Sequence, residues 1–217
     1  GSGNKEFSDQ TGVGVIINGR YYLQEDQLII NCNIVDVESG QVIHALDLIQ
    51  GDQKQMIQLL DNLTERILGY WVVKDKVRFS KDPPKFEAYQ AYLEGEQLFS
   101  TDFKSAEESF LRAFELDTTF YYPLLKLIPL YGNNFLSEKR DSLQQELLKQ
   151  KQYLTKWEAK RLEAIIAHSK GEWLRSGQLS EELWLMDRSA EDPNYNAGLS
   201  YLWANYPQKA LAIFNDF

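Results

Sequence analysis

At 217 residues and a net charge of −9, the chain has room for one large domain or two modest ones. It also lacks the basic footprint that nucleic-acid binding requires: residues 1–80 carry 7 basic and 11 acidic side chains, and residues 81–217 carry 16 and 21. Hydrophobic residues at 43% and charged residues at 25% exclude disorder over most of the length, and the lone Cys32 excludes an intrachain disulfide or a cysteine-based zinc site.

No run of about 18 apolar residues occurs, so no membrane insertion by this region is expected. The opening GSGNKEFSDQ has no charged-then-apolar signal pattern, and Gly1-Ser2-Gly3 reads as a vector-derived remnant. The last segment, ALAIFNDF, stops on an amphipathic helix without a cap. Both ends are expected to have been cut from a longer polypeptide.

The first part has β character. Val13, Val15 and Ile17 alternate with Gly14, Ile16 and Asn18, a turn falls at Gln24-Glu25-Asp26-Gln27, and Ser39-Gly40 turns into QVIHALDLI. Two successive hairpin signals predict a three-stranded antiparallel meander over roughly 13–23, 27–37 and 41–49. A helix is predicted over 53–70, where Met56, Ile57, Leu59, Leu60, Leu63, Ile67 and Leu68 define one apolar face. Residues 71–85 read as a short strand or extended linker that ends in a helix start. Asp82 would be its N-cap and Pro83 its first helical residue.

From there the period is helical throughout, with helices near 84–99, 103–116, 119–132, 137–152, 155–169, 172–190, 193–204 and 206–216. Thr155 and Glu158 form a capping-box pattern, Ser137 precedes a charged first turn, and Asp192-Pro193 repeats the Asp-Pro entry. Pro129 is expected to kink its helix or end it early. Short connections make successive helices antiparallel neighbours.

In FKSAEESFLRAFELDTTF, the small Ala106 and Ala113 allow close approach of a neighbouring helix, and Phe110 fills the space between hairpins. Gly95 supplies a small residue at the closest crossing. The segment YLWANYPQKALAIFNDF repeats the pattern with Tyr206-Pro207, Ala210 and Phe214, while the hairpins at 119–152 and 155–190 keep the length and lose the alanines. The pattern resembles the tetratricopeptide repeat, which implies an α-solenoid; an irregular all-helical bundle is the alternative.

GRYYLQEDQLIINCNIVDVESGQVIHALD is similar to the last part of a TolB-N-terminal-like domain, with Gly19, Tyr21, Asp36 and Gly40 at its marked places. EAYQAYLEG, from Glu87 to Gly95, occupies the place of the segment that leads into tetratricopeptide repeats in that arrangement. The first strands and helix of such a domain are absent. The combination resembles the sensor or output halves of bacterial winged-helix transcriptional regulators, Ser/Thr kinases and adenylate cyclases. It implies a signal-transduction context, and a periplasmic or extracytoplasmic place in a membrane-anchored parent protein, slightly ahead of a cytoplasmic one.

Chemistry-bearing patterns are sparse. His44 in a strand and His168 near a helix end read as surface or edge residues, the latter complementing the helix dipole with partial positive charge. Gly12, Gly14 and Gly19 lack the following helix of a nucleotide-binding loop and read as a strand entry or bulge. The pairs Glu107-Glu108, Glu181-Glu182 and Glu94/Glu96 read as solvated helix faces. No catalytic residue, metal site or cofactor is assigned.

Charge is uneven: residues 82–117 carry 9 acidic and 3 basic side chains, and residues 139–161 carry 7 basic and 3 acidic. Either these are unrelated solvated faces or they orient a charged segment. Tyr89, Tyr92, Glu96 and Phe99 form a stripe on the first repeat helix. With Lys156 and Lys160 they are the candidate partner-binding residues, although core packing is the favoured reading of the aromatic stripe.

The expected fold is mainly α: a tetratricopeptide-like solenoid over 81–217, preceded over 1–80 by a partial α/β domain of a three-stranded meander plus helix. The expected function is non-catalytic recognition of a protein or peptide partner, which could be another domain of the same polypeptide. The alternative is an extracytoplasmic sensor of a small ligand or peptide, bound between the α/β part and the first helical hairpin.

Overall fold

Strands β1 (Val15–Gln24) and β2 (Gln27–Asp36) pair antiparallel in unbroken register, from Val15 opposite Asp36 to Gln24 opposite Gln27, in the computed structural model, which describes residues 13–76 and 83–216. Glu25 takes a left-handed φ of 57° in the tight turn between them. Gly19 is required by the ladder: a β-carbon there would stand 2.4 Å from the Asn31 carbonyl oxygen. At the far end of β2 the Asp36 carboxylate accepts the Ser39 N–H and hydroxyl at 2.7 and 2.6 Å, and Gly40 supplies a φ of 69°.

The expected third strand is two. β3 (Val42–Ala45) pairs with Asn33 to Val35, and β4 (Ile49–Asp52) pairs with Gln27 to Ile30, so β2 is the centre of a four-stranded antiparallel sheet. Within β3 the register shifts at Ile34/Val35; beyond Ala45 the strand is interrupted where Leu46 is drawn into the core, although the Leu46 N–H still reaches the Cys32 carbonyl at 3.0 Å. Asp52 caps a short 3₁₀ turn at 53–55, and helix α1 (Met56–Val73) follows. Leu59 and Leu63 on α1 cover Leu28, Ile30 and Ile49 of the sheet.

The chain divides into two units, 1–68 and 69–217. The division falls inside α1, not at residue 80 where the sequence pattern placed it. The second unit is helical: α2 (Phe86–Leu98), α3 (Phe103–Leu116), α4 (Tyr122–Asn133), α5 (Ser137–Lys149), α6 (Lys156–Ser169), α7 (Trp173–Met186), α8 (Glu191–Trp203) and α9 (Pro207–Asn215). The chain as described is thus mainly helical, with the small sheet preceding the helices.

Several expected helix starts move. Lys85, not Asp82, occupies the N-cap of α2, so Pro83 stands before the helix; Asp82 itself, like Gly12, lies outside the described residues. Asp192-Pro193 sits within the first turn of α8 instead of preceding it. α4 runs four residues past Pro129, because Leu124, Leu125, Leu127, Ile128, Leu130 and Tyr131 are all buried and their packing outweighs one missing backbone hydrogen bond. The Thr155–Glu158 capping box is present in both directions.

Consecutive helices pack on each other from α2 through α9, and α4 also packs on α6. The joints repeat. Asp117 ends α3 at φ −144° and ψ 95°, and Asp187 ends α7 at φ −144° and ψ 94°; each carboxylate accepts the N–H and hydroxyl of the residue two positions on. Phe135 after α4 and Asn205 after α8 both adopt the left-handed region, at 60° and 64°. All these pairs are seventy residues apart, so α2–α5 correspond to α6–α9.

Candidate functional site

Four alternate helices bring charge together at one point. Lys126 on α4 is buried, and its ammonium lies 2.9 Å from Glu96 on α2 and 2.5 Å from Asp192 on α8. Buried Arg161 on α6 approaches the same Asp192 carboxylate at 3.5 Å. The Lys126 ammonium also stands 5.5 Å over the Phe99 ring. Burial alone would lower the Lys126 pKa, but Tyr122, Asp192 and Glu96 more than offset it and hold the ammonium above its ordinary value. Two cations and two carboxylates balance, as burial requires. Two buried groups beside them have no hydrogen-bond partner among the described residues: the acceptor Glu96 Oε1, and the indole N–H of Trp157, one turn before Arg161.

Of the six sequence-selected residues, this site uses two. Glu96 is one of its carboxylates and Phe99 underlies its lysine. Tyr89 and Tyr92 are core residues, not an accessible recognition stripe: the Tyr92 ring lies 5.4–6.1 Å from those of Phe110, Phe120 and Tyr122. Lys160 is paired with Glu182, and Lys156 is exposed. The i, i+3, i+7 spacing is what a buried helix face and an exposed one share, so spacing alone does not separate them.

The charge polarity along the sequence largely disappears in space. Lys139 pairs with Glu107, Lys151 with Glu163, Lys160 with Glu182 and Arg161 with Asp192. Glu107 and Glu181, read as solvated, face inward. Glu107 accepts the Tyr131 hydroxyl at 2.9 Å and the Lys139 ammonium at 2.8 Å; Glu181 accepts the Tyr201 hydroxyl at 2.5 Å and the Lys209 ammonium at 2.8 Å.

His168 is also misread by the sequence pattern. It packs between Trp173 and Trp203, with ring centroids 5.2 and 5.3 Å away, and burial followed by the Arg161 charge lowers its pKa. The lowered pKa leaves less positive charge on the ring to complement the helix end. In the first unit, a cleft of about 430 Å³ lies between α1 and the sheet, lined by Ile17, Tyr21, Ile30, Cys32, Met56 and Leu60 among others. Cys32 is buried, which raises its thiol pKa.

Among the described residues, no three His, Cys, Asp or Glu side chains gather as a metal site, and no helix is long and apolar enough to cross a membrane. No protein-family model and no curated protein matches the chain.

Proposed function

We propose that the chain is a non-catalytic, tetratricopeptide-like interaction module of a signal-transduction protein, preceded by a TolB-like α/β unit. The observation that carries this reading is the recurrence of a two-hairpin unit every seventy residues, about 35 per hairpin, against roughly 34 in that repeat class. Repeats of this kind bury their faces on one another and present side chains from successive units to a partner. Lys149 and Lys156 are exposed and carry no ion pair among the described residues, which favours an acidic peptide segment as the partner.

Fluorescence anisotropy of the full chain with a labelled peptide array tests the reading. Acidic peptides are expected to bind, and Lys149→Glu with Lys156→Glu to abolish binding at unchanged helicity. An array without binders, or binding indifferent to the charge reversal, would sink it.

A second reading, small-ligand sensing, is favoured by the cleft in the first unit. Its support would be a melting temperature raised by an apolar compound and no longer raised in Leu60→Trp.

A further inference from the structure

We propose that Phe135, in the α4–α5 turn, is an aromatic anchor that a folded protein partner takes up in an apolar pocket with a basic rim. The same turn occurs three times in the helical unit, and the repetition shows what its backbone requires. After α4, the Leu136 N–H reaches the Tyr131 carbonyl at 2.9 Å and the Phe135 N–H reaches the Gly132 carbonyl at 3.2 Å. After α6, the Glu172 and Gly171 N–H groups bond Ala167 and His168 in the same way. After α8, those of Tyr206 and Asn205 bond Tyr201 and Leu202. This paired bonding ends a helix through one residue in the left-handed region, here Phe135 at φ 60°, Gly171 at 73° and Asn205 at 64°. Glycine enters that region freely, and asparagine offsets the crowding of its β-carbon with local hydrogen bonds. Phenylalanine can do neither.

Nothing in the fold offsets this strain. The apolar contact that accompanies such a helix end is made by the next residue, Leu136, which packs against the core that holds Tyr131. The Phe135 side chain is left 93% exposed, more than any other large hydrophobic residue described. The turn lies inside the helical unit, where α3 and α6 both pack on α4. A bulky apolar group held in strained backbone and in water, at a turn that Gly171 and Asn205 serve without strain, is a group kept for recognition.

The neighbours of Phe135 select the kind of partner. Asn133, Asn134, Ser137 and Glu138 flank it and are exposed, and Glu138 has no ion-pair partner among the described residues. The next two residues, Lys139 and Arg140, are already held by Glu107 and Asp141. A lipid surface would meet amides and an uncompensated carboxylate here, with no free cation for its phosphates, so it does not fit. A protein pocket does. An aromatic ring buried at the centre of a contact and ringed by polar groups carries much of an interface's energy, and a basic rim complements Glu138. The anchor is also pre-set, because two main-chain hydrogen bonds hold its turn before the partner arrives. It is separate from the acidic-peptide reading, since Phe135 precedes α5 whereas Lys149 closes it.

Two measurements on the full chain test this. Phe135→Asn gives the turn the residue type of its counterpart after α8, and the melting temperature should rise by about 2–4 °C. An unchanged or lower value would show that Phe135 serves the fold, and would overturn the proposal. In the second, the photoreactive p-benzoylphenylalanine replaces Phe135 in the cells that make the protein. A protein cross-linked there, once purified, should bind the parent chain and lose about tenfold or more in affinity for Phe135→Asn. It should also bind Glu138→Lys more weakly than the parent chain. Cross-links to lipid alone, no cross-link at this position, or a cross-linked protein that binds Phe135→Asn as well as the parent chain would each overturn the proposal.

Discussion

The Lys126 ammonium and the Asp192 carboxylate meet at 2.5 Å and join α4 to α8 across 66 residues of chain. Lys126 is buried, whereas the Glu96 and Asp192 side chains are 29% and 41% exposed, so its removal leaves two partly hydrated carboxylates short of a cation. Lys126→Ala leaves Glu96 without its cation and Asp192 with Arg161 alone, at an expected cost of about 1–3 kcal/mol once solvent screening is allowed for. Lys126→Met with Glu96→Leu removes one cation and one carboxylate and leaves the Arg161–Asp192 pair intact. Urea titrations should find the double variant more stable than the single one. The reverse order would mean that the cluster is not held by charge balance.

A second prediction concerns alkaline pH. Burial, then the Glu107 carboxylate, raises the Tyr131 pKa, and burial followed by Glu181 does the same for Tyr201. The folded state therefore keeps these protons after the unfolded chain, with a tyrosine pKa of about 10, has lost them. Stability from this source is complete below about pH 10 and declines as pH rises further, because the folded state then binds more protons. Tyr131→Phe should flatten the decline in urea midpoint above that pH. An unchanged slope would remove Tyr131 as a contributor.

Two glycines distinguish packing from mere proximity. A β-carbon on Gly95 would stand 2.6 Å from the Phe110 ring, and one on Gly198 would stand 2.3 Å from the Phe214 ring. The shorter contact is the cheaper one to relieve, because Phe214 is partly exposed and can swing outward, whereas Phe110 is wholly buried. Gly95→Ala is expected to cost about 1–3 kcal/mol by overpacking, and Gly198→Ala clearly less. Thermal denaturation checks the order, and Phe110→Leu should recover part of the Gly95→Ala loss.

The same glycine shows why the internal repetition is hard to read in sequence. Gly95 and Phe110 correspond to Ile165 and Ser180, so the bulky member of the pair has moved to the other helix while the combined volume is roughly kept. Identity survives mainly at the joints: Asp117 and Asp187, Pro123 and Pro193, Tyr131 and Tyr201, Lys139 and Lys209. Local devices were legible because their partners are a few residues apart, as in the Thr155–Glu158 box and the Asp36–Gly40 turn. The charged cluster was not, since Glu96, Lys126, Arg161 and Asp192 meet only once the helices pack. Asp192 followed by proline carries the local signature of a cap, which masked its role as an ion-pair partner.

The last prediction rests on His168. Its ring lies between Trp173 and Trp203, themselves 5.0 Å apart, and burial with the nearby Arg161 charge places its pKa below the ordinary 6.5. The unfolded chain therefore takes up a proton before the folded one as pH falls. The stabilisation is complete above about pH 6.5 and is lost as pH drops through the lower folded value. Glu163 and Glu181, whose pKa values are also lowered, lose their contributions only further down, below the ordinary 4.5. Melting temperatures at about pH 7.5 and pH 5 thus exclude the carboxylates, and comparison with a His168 variant separates this histidine from His44. His168→Phe, which keeps a ring between the tryptophans, should show a smaller drop between the two than the parent chain, together with a smaller change in tryptophan fluorescence. Equal drops would mean that His168 is as readily protonated in the folded chain as in the unfolded one, and that its aromatic neighbours do not exclude the charge.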